Sequence, residues 1–323
     1  MQPLPADMKI TEQTLAYRVQ RLNGDNIAGL EQLHSAVYGA RPAPIFFSNK
    51  YNTAFTGVQH VGFIAYNDED LPIAFYAVIP CFIRVNGKNT LAAQSADTMT
   101  HPDYRFKGLF ADLANRTFDL CETLGIRLLF GFPNQNSLPG FVNRLGWQMT
   151  ERMDCFRIQV AIFPWHKLLS KVPFGAKILQ TRRQKVLENV VVKGGKMPDS
   201  ISDSEYGGIN RDRDFHQYKT YNQSRVIRIG DSVLWIKINH VLLIGDAEVK
   251  AEEFNGMMHR LKKLAAKLGI NEIQFHGSPG TVLHRLFSIY YIPVPSFPVI
   301  FKNLGAGLDL KKIKFTSADI DTF

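Results

Sequence analysis

The chain has 323 residues, 45% hydrophobic, 21% charged and 11% aromatic, which excludes a disordered tail protein, a collagen-like fibre and a disulfide miniprotein. The length suggests about two domains, and no run reaches the ~18 apolar residues a membrane span needs. Lys plus Arg number 38 and Asp plus Glu 29, a formal charge of +9.

The elements read as follows in chain order. Met1 to Lys9 lacks the apolar core of a signal peptide. Tyr17 to Leu22 is a strand, and Asp25 or Asn26 caps a helix to about Tyr38, with Ile27, Leu30, Leu33, Ala36 and Val37 at helical spacing. Phe46 to Tyr51 is a short helical piece. Val58 to Tyr66, Leu71 to Val85 and Asn89 to Thr100 are strands, the last two joined by the hairpin signal Asn86-Gly87. Three strands thus form an antiparallel meander before residue 100. A helix follows from about Gly108 to Leu124, with Leu109, Leu113, Leu120 and Leu124 as its stripe and Gly125 as its stop. Ile126 to Phe132 is a short, wholly apolar strand, the kind covered on both faces. Leu138 to Leu145 is a short helix, and Trp147 to Val160 another strand.

Pro164 to Lys196 is a basic connector with at least one amphipathic helix. Between Trp165 and Lys196 stand eight cations (Lys167, Lys171, Lys177, Arg182, Arg183, Lys185, Lys193, Lys196) against one acid, Glu188. This stripe suits a solvated helix face, nucleic acid, anionic lipid or a polyphosphate ligand. Trp165 and Phe174 alone interleave the cations, so nucleic acid ranks low. Pro198 to Asn210 is a polar, glycine-bearing boundary. Helix 212–221, strands 225–229, 233–238 and 241–246, helix 251–268, strand 273–276, helix 279–290 and strand 299–304 then repeat the order of the first half. The expected domains are 1–160, a basic linker 161–200, and 201–323.

The chemistry concentrates in Thr100-His101-Pro102-Asp103-Tyr104-Arg105-Phe106-Lys107-Gly108-Leu109-Phe110. It sets two cations and a glycine where a strand yields to a helix N-terminus. Free backbone N–H groups and the helix dipole converge there, which favours pyrophosphate without a metal. His101 and Tyr104 read as packing and hydrogen-bonding residues of the turn.

Arg105-Phe106-Lys107-Gly108-Leu109-Phe110 resembles the acyl-coenzyme-A signature of the GNAT N-acetyltransferases, [QR]-x-x-G-x-[GA], with Phe110 in place of the small last residue and Phe106 where many members have Gly. Asn136-Ser137 and Leu145-Gly146-Trp147 resemble the family's later loop and its Leu-Gly-aromatic ending. The resemblance covers roughly the first half. It implies an α/β fold with a mixed sheet, a GNAT fold followed by a second, degenerate GNAT-like domain. It also implies an acyltransferase that moves an acetyl or similar group from acetyl-CoA to a small-molecule or sugar amine by direct attack. Strands near Thr98–Thr100 and Ile126–Phe132 would splay around the pantetheine. Cofactor contacts would come from Met99, Thr100, Arg105, Phe106, Lys107, Gly108, Leu109, Phe110 and Asn136. Asp97 is the best-placed base.

The family's usual tyrosine acid is replaced by Val142, preceded by Phe141. A protein that keeps the fold without turnover, binding CoA or an anionic surface through Lys167–Lys196, is the alternative. The second half opens its long helix with Glu248, Glu252 and Glu253 and no glycine, so one acyl-CoA per chain is expected. In the tandem aminoglycoside-acetylating relatives a C-terminal carboxylate can act as base, and this chain ends Thr322-Phe323. Gly305-Ala306-Gly307 reads as a loop. The histidines show no zinc spacing, no metal is expected, and no G-x-S-x-G occurs. Three cysteines (Cys81, Cys121, Cys155), with no C-x-x-C, suit buried thiols in a reducing compartment, so a soluble cytoplasmic protein is expected.

Overall fold

The computed structural model describes residues 16–43, 45–162, 175–192, 197–201 and 205–323. Its frame is one mixed sheet of twelve strands. In chain order the strands of the first half are β1 (Arg18–Arg21), β2 (Val61–Tyr66), β3 (Pro72–Val85), β4 (Lys88–Thr100), β5 (Leu128–Gly131) and β6 (Gln148–Gln159). The second half adds β7 (Gly208–Ile209), β8 (Arg225–Ile229), β9 (Ser232–Ile238), β10 (Leu242–Glu248), β11 (Glu272–Gly277) and β12 (Val294–Asn303). The helices are α1 (Leu30–Tyr38), α2 (Ile45–Lys50), α3 (Leu109–Thr123), α4 (Gly175–Glu188), α5 (Arg213–Lys219), α6 (Phe254–Lys267) and α7 (Val282–Tyr290).

The predicted meander is present. Asn86 and Gly87 take φ of +49° and +75° at the β3–β4 turn, as a two-residue hairpin requires. β3 is apolar from Pro72 to Ile83 because both its faces are covered there. Tyr76 and Val78 pack with α3 on one face, and Phe75, Ala77 and Ile79 pack with α1 and α2 on the other. This alternation follows from the strand's period of two. β4, α3 and β5 form a βαβ unit in which β4 and β5 run parallel.

The sheet order is β1-β2-β3-β4-β5-β12-β6-β11-β10-β9-β8, with β7 on β3. The second half repeats the first: the meander β8-β9-β10, then α6, then β11 parallel to β10. The final strands, however, change places. β12 pairs with β5, and β6 pairs with β11; the two meet each other in the middle. Each half is therefore completed by a strand from the other. The stretch expected to be a polar boundary, Pro198 to Asn210, is partly interior: Ile201, Ile209 and Asn210 are buried, and β7 extends the sheet beside β3.

Residues 309–323 form part of the central core through Ile313, Phe315, Ala318, Ile320 and Phe323. Arg211 holds this segment in place. Its buried guanidinium bonds Asp319 and Thr316 and pairs with Asp246. Lys167, Lys171, Lys193 and Lys196 lie outside the described residues, as do the side chains of Lys177 and Arg182.

Candidate active site

β4 and β5 keep register only from Ala92↔Leu128 to Gln94↔Phe130. Beyond that point β4 continues to Thr100 while β5 ends at Gly131. The β3–β4 register also slips, from Tyr76↔Thr98 to Val78↔Ser95. β4 thus carries an extra residue between Ser95 and Thr98, a bulge of the kind that re-aims side chains beside sites. Thr98 stands opposite Tyr76 and faces α3, whereas Asp97 faces α2.

The cleft that opens at this divergence has a volume of about 530 Å³. Thr98 and Thr100 form one wall, and the turn before α3 forms another through Arg105, Phe106, Gly108, Leu109 and Phe110. Asn136, Ser137, Asn143 and Arg144 close it, and among the described residues no carboxylate lines it. The turn is built locally. His101 caps a short 3₁₀ turn over Pro102–Tyr104 by accepting from the Asp103 N–H. Lys107 lies over the Tyr104 ring at 4.9 Å. Gly108 takes φ of +80° and starts α3. The first N–H groups to turn back, those of Ala111 and Asp112, bond the Gly108 carbonyl, so the preceding N–H groups point out of the helix end.

Phe106 also has a left-handed backbone, with φ of +64°. Its ring is 99% exposed. The family's frequent glycine at this position finds its reason here: the turn keeps a glycine geometry although the residue is Phe. Phe110 is accommodated by a second glycine. Its ring lies against Gly140, where an added Cβ would come within 3.1 Å, and edge-on to Phe141.

Of the predicted contacts, Thr100, Arg105, Phe106, Gly108, Leu109, Phe110 and Asn136 line the cleft. Lys107 stands beside it on Tyr104. The Met99 side chain is buried on the opposite face, with α1 and α2. The short helix after Ser137 contains a π turn over Gly140–Arg144. Val142 does not line the cleft, whereas Asn143 and Arg144 do. Counting back from Gly146 therefore does not find the residue that faces the cleft.

Asp97 belongs to a cluster. Its Oδ2 accepts from the Tyr51 hydroxyl at 2.8 Å and pairs with Lys50 Nζ at 2.9 Å. Lys50 is buried and also pairs with Asp321 at 2.8 Å. Burial works against the Lys50 charge, but Asp321 and Asp97 outweigh it and raise its pKa. Burial is likewise the largest influence on Asp321, yet Lys50 holds that carboxyl below its usual range. Burial and Asp97 push the Tyr51 hydroxyl well up. Tyr218 donates to the Lys50 carbonyl and Tyr221 to the Asp321 carbonyl. Tyr38, at the end of α1, is half open, and partial burial together with Asp97 raises its hydroxyl pKa. Lys50 and Asp321 had no signal in the sequence: they are 271 positions apart, and neither sits in a motif.

No group of three or more His, Cys, Asp or Glu among the described residues could hold a metal ion, and none of their helices is long and apolar enough to cross a membrane. The model of the acetyltransferase (GNAT) domain family matches residues 18–150. No curated protein sequence matches the chain. Among solved structures, the GCN5-related N-acetyltransferase of Kribbella flavida is similar with a TM-score of 0.57 at 13% identity, over 90% of this chain and 73% of that one. A probable N-acyltransferase of Enterococcus faecalis V583 reaches 0.58 at 11%, with the same coverage. The N-myristoyltransferase of Saccharomyces cerevisiae, with bound myristoyl-CoA, reaches 0.56 at 12%, over 99% of this chain and 90% of that one. At such identities the likeness is one of fold. Residues 18–150, which carry the βαβ unit, its turn and the diverging strands, are the part of the chain that matches the acetyltransferase (GNAT) domain family.

Proposed function

We propose that the chain transfers an acetyl or similar acyl group from acyl-CoA to an amine by direct attack. The observation that carries this reading is the cleft of about 530 Å³ where the Arg105–Gly108 turn meets the divergence of β4 and β5. Pyrophosphate would lie on the N–H groups of Phe106 to Phe110, next to Arg105, with no carboxylate to repel it. The thioester would reach the β4 bulge, whose backbone N–H groups are the candidates to stabilise the oxyanion. The amine nitrogen bonds the carbonyl carbon, the C–S bond breaks, and the thiolate leaves with a proton.

An amine with a pKa near ~10 must first lose a proton. Asp97 is our candidate base, directly or through water, and Tyr38 our candidate donor to the thiolate. We read the second half as a degenerate copy that walls the acceptor side through Tyr218, Tyr221 and Asp321, with boundaries near 160 and 200. The three free cysteines are all buried, which supports a reducing, cytoplasmic setting.

One observation favours a second reading, a CoA-binding protein without turnover: Asp97 is already engaged by Lys50 and Tyr51. Calorimetric titration with acetyl-CoA, followed by assay of CoA thiol release over an amine panel, separates the two. Binding of one acetyl-CoA per chain with release supports transfer. Binding without release from any amine leaves the second reading. Two sites per chain would overturn the degenerate-copy assignment, and no heat at millimolar ligand would remove both readings.

A further inference from the structure

On the other half of the molecule, α4, α6 and the β8–β9 turn enclose a cleft of about 390 Å³. Four cations line it: Arg228 from β8, and Arg260, Lys263 and Lys267 from α6. All four are exposed. The α6 residues recur at spacings of three and four, so their charges stack on one stripe, where like charges oppose the helix. The opposite stripe of α6 (Met257, Met258, Leu261, Ala265) is buried in the core, which fixes the direction of the cations. None of the four pairs with a carboxylate among the described residues. The acids nearest in sequence, Glu188 and Asp231, do not line the cleft, and Glu188 accepts from Gln184. Arg183 and Lys185, from the basic connector, are exposed on α4 nearby, with Arg183 donating to the Leu268 carbonyl at the end of α6. Ile229 and Leu264 give the cleft a buried apolar floor.

We propose that this cleft binds a phosphate-bearing anion. Two guanidinium groups and two ammonium groups around one concave space match the charge and donor geometry of phosphate oxygens. The apolar floor suits the carbon portion of the same ligand. The site differs from the turn before α3 in kind: it lies along the later turns of α6, where the helix dipole disfavours an anion, so side-chain charge does all the attracting. Binding is therefore strongly dependent on salt. The sequence alone left the basic stripe open between solvent and anionic partners; of its cations, Arg183 and Lys185 stand on the helix that borders the cleft.

The test uses the full-length chain carrying Gly108→Glu, so that the α3 turn contributes no anion site. The probes are sodium pyrophosphate, in calorimetry, and vesicles of phosphatidylglycerol in phosphatidylcholine against phosphatidylcholine alone, in co-sedimentation. Binding of either anionic probe is expected. It is weakened at least about tenfold, roughly 1.4 kcal/mol, in Arg260→Glu/Lys263→Glu and in the milder Arg260→Gln/Lys263→Gln, and unchanged in Lys88→Glu on the distant β3–β4 hairpin. Pyrophosphate binding marks a free anion as the source, and vesicle binding alone marks a lipid headgroup. Absence of binding to both probes, or binding that survives both double variants, overturns the proposal.

Discussion

Gly108 shows how one backbone angle decides a site. An added Cβ there would meet nothing within 4 Å, so steric crowding within the fold is not what requires glycine. Its φ of +80° is, because a side chain costs about 1–2 kcal/mol in that region. Gly108→Ala is therefore expected to lose about 1 kcal/mol of stability and keep acyl-CoA binding. Gly108→Glu adds a carboxylate at the helix end and should weaken binding at least about a hundredfold. Calorimetry on both variants checks this; equal affinities would show that pyrophosphate lies elsewhere. Asp97 gives the second test at this scale. If it is the base, Asp97→Asn lowers turnover by roughly 10²–10⁴, with acyl-CoA affinity nearly unchanged. Tyr51→Phe removes one hydrogen bond to the same carboxylate and should lower turnover less than Asp97→Asn does. Wild-type turnover in Asp97→Asn would exclude the role.

At the scale of elements, local patterns were legible and distant pairings were not. The strands β2–β4, the Asn86-Gly87 turn, the α3 stripe and Gly125 after it are written within a few residues of one another, and the structure contains each. The π turn at Gly140–Arg144 was not legible, because it changes which side chain faces the cleft without changing the hydrophobic pattern. Nor was the Lys50–Asp321 pair, since side-chain chemistry alone does not select a partner so far along the chain. The exchange of β6 and β12 escaped for the same reason: both read correctly as strands, but periodicity does not name a neighbour. The exchange makes a testable statement. Fragments 16–162 and 163–323 made separately each lack a strand and leave β5 or β11 with an open edge, and should aggregate. Expressed together they should co-purify as a pair in size-exclusion chromatography. A soluble, folded 16–162 fragment alone would show that β5 does not need β12.

Across the whole molecule, residues 316–323 meet the first half through the Lys50–Asp321 pair and are held within the second half by further polar contacts. Lys219 donates to the Ile320 carbonyl at 2.8 Å, Lys237 to that of Thr322 at 2.6 Å, and Asn222 to those of Asp321 and Phe323. Lys219 is fully buried, and burial lowers its pKa to about 7. In the unfolded chain its pKa is ~10.4, so between the two values the unfolded state binds more protons and stability rises with pH. This contribution is smallest below pH ~7 and complete above ~10.4. The stability of Lys219→Met relative to the native chain should therefore fall by on the order of 1 kcal/mol per pH unit between about pH 7 and 9. Denaturant titrations at three pH values measure it, and a difference independent of pH would mean that Lys219 stays charged when folded.

The interleaving of β5, β12 and β6 also sets a timetable for synthesis. β5 leaves the ribosome about 160 residues before β12 exists. At ~5–20 residues per second the nascent chain carries β5 with one edge open for roughly 8–30 s. β6 emerges in that interval, and β12 must later enter between it and β5. Completion of the first half thus waits for nearly the last segment to be translated. A message broken anywhere between the two strands would yield a sticky product rather than a working half, leaving chaperones and proteases to decide its fate.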